Sequence, residues 1–138
     1  MDKKTKKALD EATIRKLAGL YPVSPDFSMA FMPDCYKDVP QEYKPKFIIK
    51  PYTLSEMRDL AEKSNQLEGQ ELDDFANSMI RSKIVGMTNM INLSTQEPIL
   101  FQSDEKGCMS KSQYDTLPMI VKSEILKEIS AISSGVRS

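Results

Sequence analysis

Apolar residues from position 72 onward recur at steps of three and four: Leu72, Phe75, Ala76, Met79, Ile80, Ile84, Met87, Met90 and Ile91. Such steps stack side chains on one face of a helix. The pattern predicts an amphipathic helix of about 20 residues, the spine of the domain. Glu71, Asp73 and Asp74 follow Gly69 and fall in its first turn, where the helix dipole favours carboxylates. Gly86 interrupts the run at a cost of roughly 1 kcal/mol relative to alanine. Its missing side chain leaves room for another element to pass close.

A second stripe lies in "DTLPMIVKSEILKEI" and the residues after it. Leu117, Ile120, Val121, Ile125, Ile129 and Ile132 share one helical face, Leu126 widens it, and Lys122, Glu124, Lys127 and Glu128 sit largely outside. Pro118 suits the first turn, where a missing amide proton costs nothing, and Asp115 and Thr116 are cap candidates. A stripe this size closes the domain's own core first and meets a partner second. A third helix is expected from Thr53 to about Gln66, with Leu54, Met57, Leu60 and Ala61 inward. Thr53 and Glu56 have capping-box spacing, and Tyr52 and Met57 stand at the staple positions. A weaker stripe, Leu9, Thr13, Ile14, Leu17 and Ala18, gives a modest first helix ended by Gly19 and Pro22.

Two short apolar runs read as strands. "KFIIKPY" ends at Pro51, which has no amide proton for a ladder; Ile99 to Phe101 is either a short strand, the favoured reading, which could pair with it, or an ordered loop. "SKSQYDTL" suits one helical turn, and "SSGVRS" reads as a polar, mobile tail. Between residues 21 and 52 lie six of the eight prolines and seven of the ten aromatics. Prolines at that density prevent a long helix, and the aromatics are too many for a solvated linker. This stretch is either a strap over the domain's own core or an arm for a neighbour. The fold expected is mainly α: three to four amphipathic helices, one or two short strands and an extended N-terminal arm. Residues 1–46 hold the first helix and arm, 47–133 the helical domain, and 134–138 the tail.

Composition narrows the function classes. The 138 residues fit one domain, and a formal charge of −1 argues against a dedicated nucleic-acid binder. The run "DKKTKK" at residues 2–7 is the exception, and such a run is usually a solvated terminus. No stretch reaches the roughly 20 apolar residues of a membrane span, and no apolar run follows the basic N-terminus as in a secretion signal. Cys35 and Cys108 read as two free, reduced thiols. The protein is expected in the cytoplasm.

Candidate chemistry is sparse. Histidine is absent, which removes the usual general base, the commonest metal ligand and any Ser-His or Cys-His pair. The five glycines are isolated and form no phosphate-cradling loop. Asp73 and Asp74 point about 100° apart on a helix, and Glu124 and Glu128 lack a third ligand. No catalytic residue, metal site or cofactor is expected. The nine methionines are more informative, because methionine adapts to irregular apolar surfaces. Phe27, Met29, Phe31, Met32 and Tyr36 in the arm, Met87 and Met90 on the spine, and Leu126 are the candidate protein-binding residues.

The order of four segments resembles the tail assembly chaperones of long-tailed bacteriophages over about residues 47–133. "FIIKPYTLSEM" resembles their extended segment entering a Thr-capped helix. "MIRSKIVGMTNM" resembles their long helix ending in a v-v-g stretch, "EPILFQS" their short apolar segment, and "YDTLPMIVKSEILKEI" their terminal Leu-Pro helix. Met87 departs from a common tryptophan, and "TQE" replaces an Asp-Gly turn. The resemblance implies a non-enzymatic protein of the bacterial host cytoplasm, sometimes self-associating, that binds the tape measure protein and keeps it soluble during tail tube assembly. Two other readings stay open: a virion or adaptor protein whose aromatic arm wraps a neighbouring subunit, and a small regulator binding one host protein.

Overall fold

Strand alternation in "KFII" sets the core. Phe47 and Ile49 are fully buried, and Lys46 and Ile48 are only half-buried. The computed structural model describes residues 10–17 and 20–136. In it, this run is β2 (Lys46–Ile49), the middle strand of an antiparallel sheet with β1 (Met29–Phe31) and β3 (Ile84–Thr88). The register aligns two rows of buried side chains, Phe31–Phe47–Met87 and Met29–Ile49–Ile84. A hairpin follows, β4 (Met90–Asn92) and β5 (Glu97–Ile99).

The helices are α1 (Glu11–Leu17), α2 (Leu54–Gln66), α3 (Gln70–Ser82), α4 (Lys111–Asp115) and α5 (Met119–Ser133). The α5 stripe joins the core through Val121, Ile125, Ile129 and Ile132, each 1% exposed or less. Burying a side chain of this kind is worth about 1.5–3 kcal/mol, so this helix closes the core. Ile120, from the same predicted stripe, is exposed. The turn before α5 also differs from expectation. Pro118 is itself the N-cap, Thr116 Oγ1 donates to the Gln113 carbonyl, and Asp115 pairs with Lys111 inside α4.

At α2 the capping box is complete. The Thr53 hydroxyl accepts the Glu56 amide at 3.1 Å and Glu56 Oε1 accepts the Thr53 amide at 2.8 Å. The Lys83 ammonium lies 2.6 Å from the same carboxylate. Ser133 ties the end of α5 to the start of α2: its hydroxyl donates to the Ile129 carbonyl at 2.6 Å and accepts the Tyr52 amide at 2.8 Å.

The fold is mixed α/β, not the mainly α arrangement the sequence predicts, with two small antiparallel sheets beside the helices. The predicted 20-residue spine stops at Ser82, and its remainder becomes β3 and β4. The cause is a β-bulge. Ile48 pairs with Gly86 and Ile49 with Ile84, leaving Val85 as the extra residue. A bulge shifts the two-residue alternation by one position, so Ile84 and Met87, three apart, both face the core. Helical spacing and a bulged strand are indistinguishable over so short a run. The short strand forms at residues 97–99, not at 99–101, and pairs with β4, not with β2. The proline- and aromatic-rich stretch supplies β1 and two 3-10 turns, Asp34–Tyr36 and Gln41–Tyr43. Buried Val136 forms a parallel bridge with Val23. Leu9, Ala18, Gly19, Arg137 and Ser138, used in the predicted ends of the chain, lie outside the described residues.

Candidate protein-binding surface

Prolines shape one wall of an apolar trough. Pro33 and Pro40, with φ of −58° and −53°, precede the two 3-10 turns, and proline fixes this angle without help from neighbours. Backbone bonds then lock the strap: the Tyr36 amide to the Pro33 carbonyl at 3.1 Å, Val39 to Tyr36 at 3.1 Å, and Tyr43 to Pro40 at 2.8 Å. Tyr36, Val39, Tyr43 and Pro45 thereby line one side of a space of about 580 Å³. The opposite side is the β4–β5 hairpin, through Met90, Ile91, Leu93 and Gln96.

The hairpin is held as firmly. Asn92 Oδ1 accepts the Ser94 and Thr95 amides at 2.8 and 3.3 Å, and the Asn92 carbonyl accepts the Gln96 amide at 2.6 Å. Gln96 has φ of 60° and Asn89 of 64°, in the left-handed region that asparagine tolerates better than branched residues. Asn89 Nδ2, in its side chain, donates to the Lys44 carbonyl at 3.0 Å and fastens hairpin to strap. Leu93 is thus presented at the hairpin turn, 82% exposed. Burial pushes the Tyr36 phenol up to about 12, with Cys35 and Glu124 adding to it. No Asp, Glu, Lys or Arg lines the trough.

The structure brings Tyr36 and Met90, of the predicted binding residues, together in this trough. Met29, Phe31 and Met87 are buried in the sheet, and Phe27 packs half-buried against the core. Met32 is half-buried. Leu126 is 39% exposed on α5, outside the trough. Val39, Tyr43, Pro45, Ile91, Leu93 and Gln96 are not among the predicted binding residues. The signal for them was the proline spacing on one side and, on the other, the lack of any charged residue between Lys83 and Glu97.

A second, polar cleft of about 320 Å³ lies between α3 and the α4–α5 corner, lined by Asn77, Arg81, Lys111, Tyr114, Asp115 and Lys122 among others. Its groups are mostly spoken for. Arg81 pairs with Asp104 at 3.1 Å, Lys111 with Asp115 at 2.9 Å, the Tyr114 hydroxyl donates to Asn77 Oδ1 at 2.7 Å, and Lys122 sits 4.6 Å from the Tyr114 ring centroid. Behind Arg81, the Cys108 thiol donates to Asp104 Oδ2 at 3.2 Å. That bond and the Lys106 amide hold Asp104 near 2, whereas burial first and Asp104 second push the thiol up. A protonated thiol beside a carboxylate is a hydrogen-bond donor, not an activated nucleophile. Among the described residues no group of three His, Cys, Asp or Glu side chains converges as a metal site, and no helix is long and apolar enough to cross a membrane.

No protein-family model, curated protein or solved structure matches this chain.

Proposed function

We propose that the chain is a non-enzymatic assembly chaperone of a long-tailed bacteriophage, which binds the tape measure protein and keeps it soluble while the tail tube forms. The observation that carries the reading is the charge-free trough between strap and hairpin, with Leu93 and Tyr43 exposed at its rim. Exposed, contiguous apolar surface on a polar-coated domain marks a site for another chain. The methionine and tyrosines there suit a client whose apolar segments vary, since Met repacks and Tyr presents a broad face with few rotors. The client's identity comes from the resemblance of residues 47–133. Its setting would be the host cytoplasm.

Co-expression with the adjacent long coiled-coil reading frame tests the proposal. A soluble client that elutes with this chain is the expected result; an insoluble client with no complex overturns it. Recovery of the chain from finished virions would favour the adaptor reading instead, because an assembly chaperone leaves before completion.

A further inference from the structure

Pro98 decides which edge of the hairpin is open. β4 and β5 pair in the register Met90–Ile99, Ile91–Pro98 and Asn92–Glu97. Antiparallel strands exchange backbone bonds only at alternate pairs, and proline has no amide proton to exchange. The bonded pairs are therefore Met90–Ile99 and Asn92–Glu97, and both backbone polar groups of Ile91 point away from β5. The hairpin sheet has two strands. Among the described residues, no hydrogen bond reaches Ile91 from outside it.

That open edge runs along the trough. Met90 and Ile91 are consecutive strand residues and point to opposite faces, yet both line the same space. A space touching both passes along the strand's edge, not over one face. Pro98 and Ile99 do not line it, so the edge is that of β4. Natural sheet edges are blunted by proline or charge. Glu97 and Pro98 do this for β5, but β4 has no such guard.

We propose that the β4 edge docks a lone, extended, uncharged apolar segment of the client. The segment adds a third strand to the hairpin and sets alternate side chains into the trough. This deepens the chaperone reading and rests on it. Charge selects the segment, because a lining without charge matches a segment without charge. Size selects its conformation. An extended residue in a packed sheet fills roughly 3.3 × 4.8 × 10 Å, about 160 Å³, so 580 Å³ holds about four. Four extended residues cover β4, which is three residues long. A helix keeps its backbone hydrogen bonds within itself and offers none to Ile91. A second copy would bring its own β5 and need twice the volume. A client held extended is also kept from collapsing on other apolar segments.

The test uses the full chain and a blocked peptide with the core Val-Ile-Val-Ile-Val and a lysine at each end. Exchange of the Ile91 amide, followed by NMR, is expected to slow about tenfold or more at saturation. Methylating the peptide amides on the pairing edge is expected to weaken binding about tenfold, with no change to the protein that could unfold it. Equal binding by the methylated peptide overturns the proposal, as does binding that leaves Ile91 exchange unchanged. Slow Ile91 exchange in the free protein also overturns it. If that slowing depends on concentration, a second copy holds the edge, and otherwise the chain covers its own edge. In the co-expressed complex, a soluble client with Ile91 unprotected overturns the pairing alone. An insoluble client beside a peptide that protects Ile91 overturns the chaperone reading alone.

Discussion

Gly86 and Ile48 face each other across β2 and β3 so closely that a Cβ on Gly86 would lie 2.7 Å from Ile48 Cγ1 and 3.1 Å from its Cβ. Any side chain at 86 would push the two strands apart beside the bulge, where Val85 is already unpaired. Gly86→Ala is expected to destabilise the fold by about 1–3 kcal/mol, the usual range for overpacking, measured as a lower urea midpoint. Combining it with Ile48→Ala removes the closer of the two contacts. The double variant should then lose less than the sum of the single losses.

Glu56 joins the α2 cap to the Lys83 ammonium. Burial raises its carboxyl pKa, but the bonds from Lys83 and the Thr53 amide outweigh this and leave it below the ordinary 4.5. A carboxyl depressed in the folded state contributes stability above its unfolded pKa and loses it as pH falls through the folded one. Stability should therefore decline on acidification below about 4.5, with Asp104 adding to the decline between the ordinary 3.8 and about 2. Glu56→Gln should flatten the first part of that limb in urea titrations at stepped pH. Thr53→Ala, which removes the other half of the box, should cost about 1 kcal/mol at neutral pH.

Ser133 is 2% exposed, and its hydroxyl is the partner of the buried Tyr52 amide. Ser133→Ala leaves that amide unsatisfied, at about 1–3 kcal/mol. Hydrogen exchange at Tyr52 should accelerate in the variant more than exchange at core amides of β2, because the loss is local.

What the sequence discloses divides along local and non-local lines. Thr53 and Glu56 are three residues apart and satisfy each other, so the α2 start is legible from a few letters. The α5 face is legible because Val121, Ile125, Ile129 and Ile132 follow one period within one element. β3 is not, because its pairing with β2 is distant in sequence and its bulge gives Ile84 and Met87 helical spacing. The trough is hidden for the same reason. Tyr36 and Tyr43 meet Met90 and Leu93 only once strap and hairpin are fastened by Asn89 to Lys44. Composition flagged methionines and aromatics as adaptable surface, but it could not sort Met87, which is 6% exposed, from the half-buried Met90.

The trough itself gives the most direct measurement. Leu93 is 82% exposed, so Leu93→Asp should change folding stability by less than about 0.5 kcal/mol, verified by an unaltered urea midpoint. The client's soluble fraction is then compared on co-expression with the wild-type chain, with Leu93→Asp, and with no partner. The account predicts a soluble client with wild type, and with Leu93→Asp a soluble fraction near that found without a partner. A client equally soluble beside the folded Leu93→Asp chain, or equally insoluble beside the wild type, would contradict it.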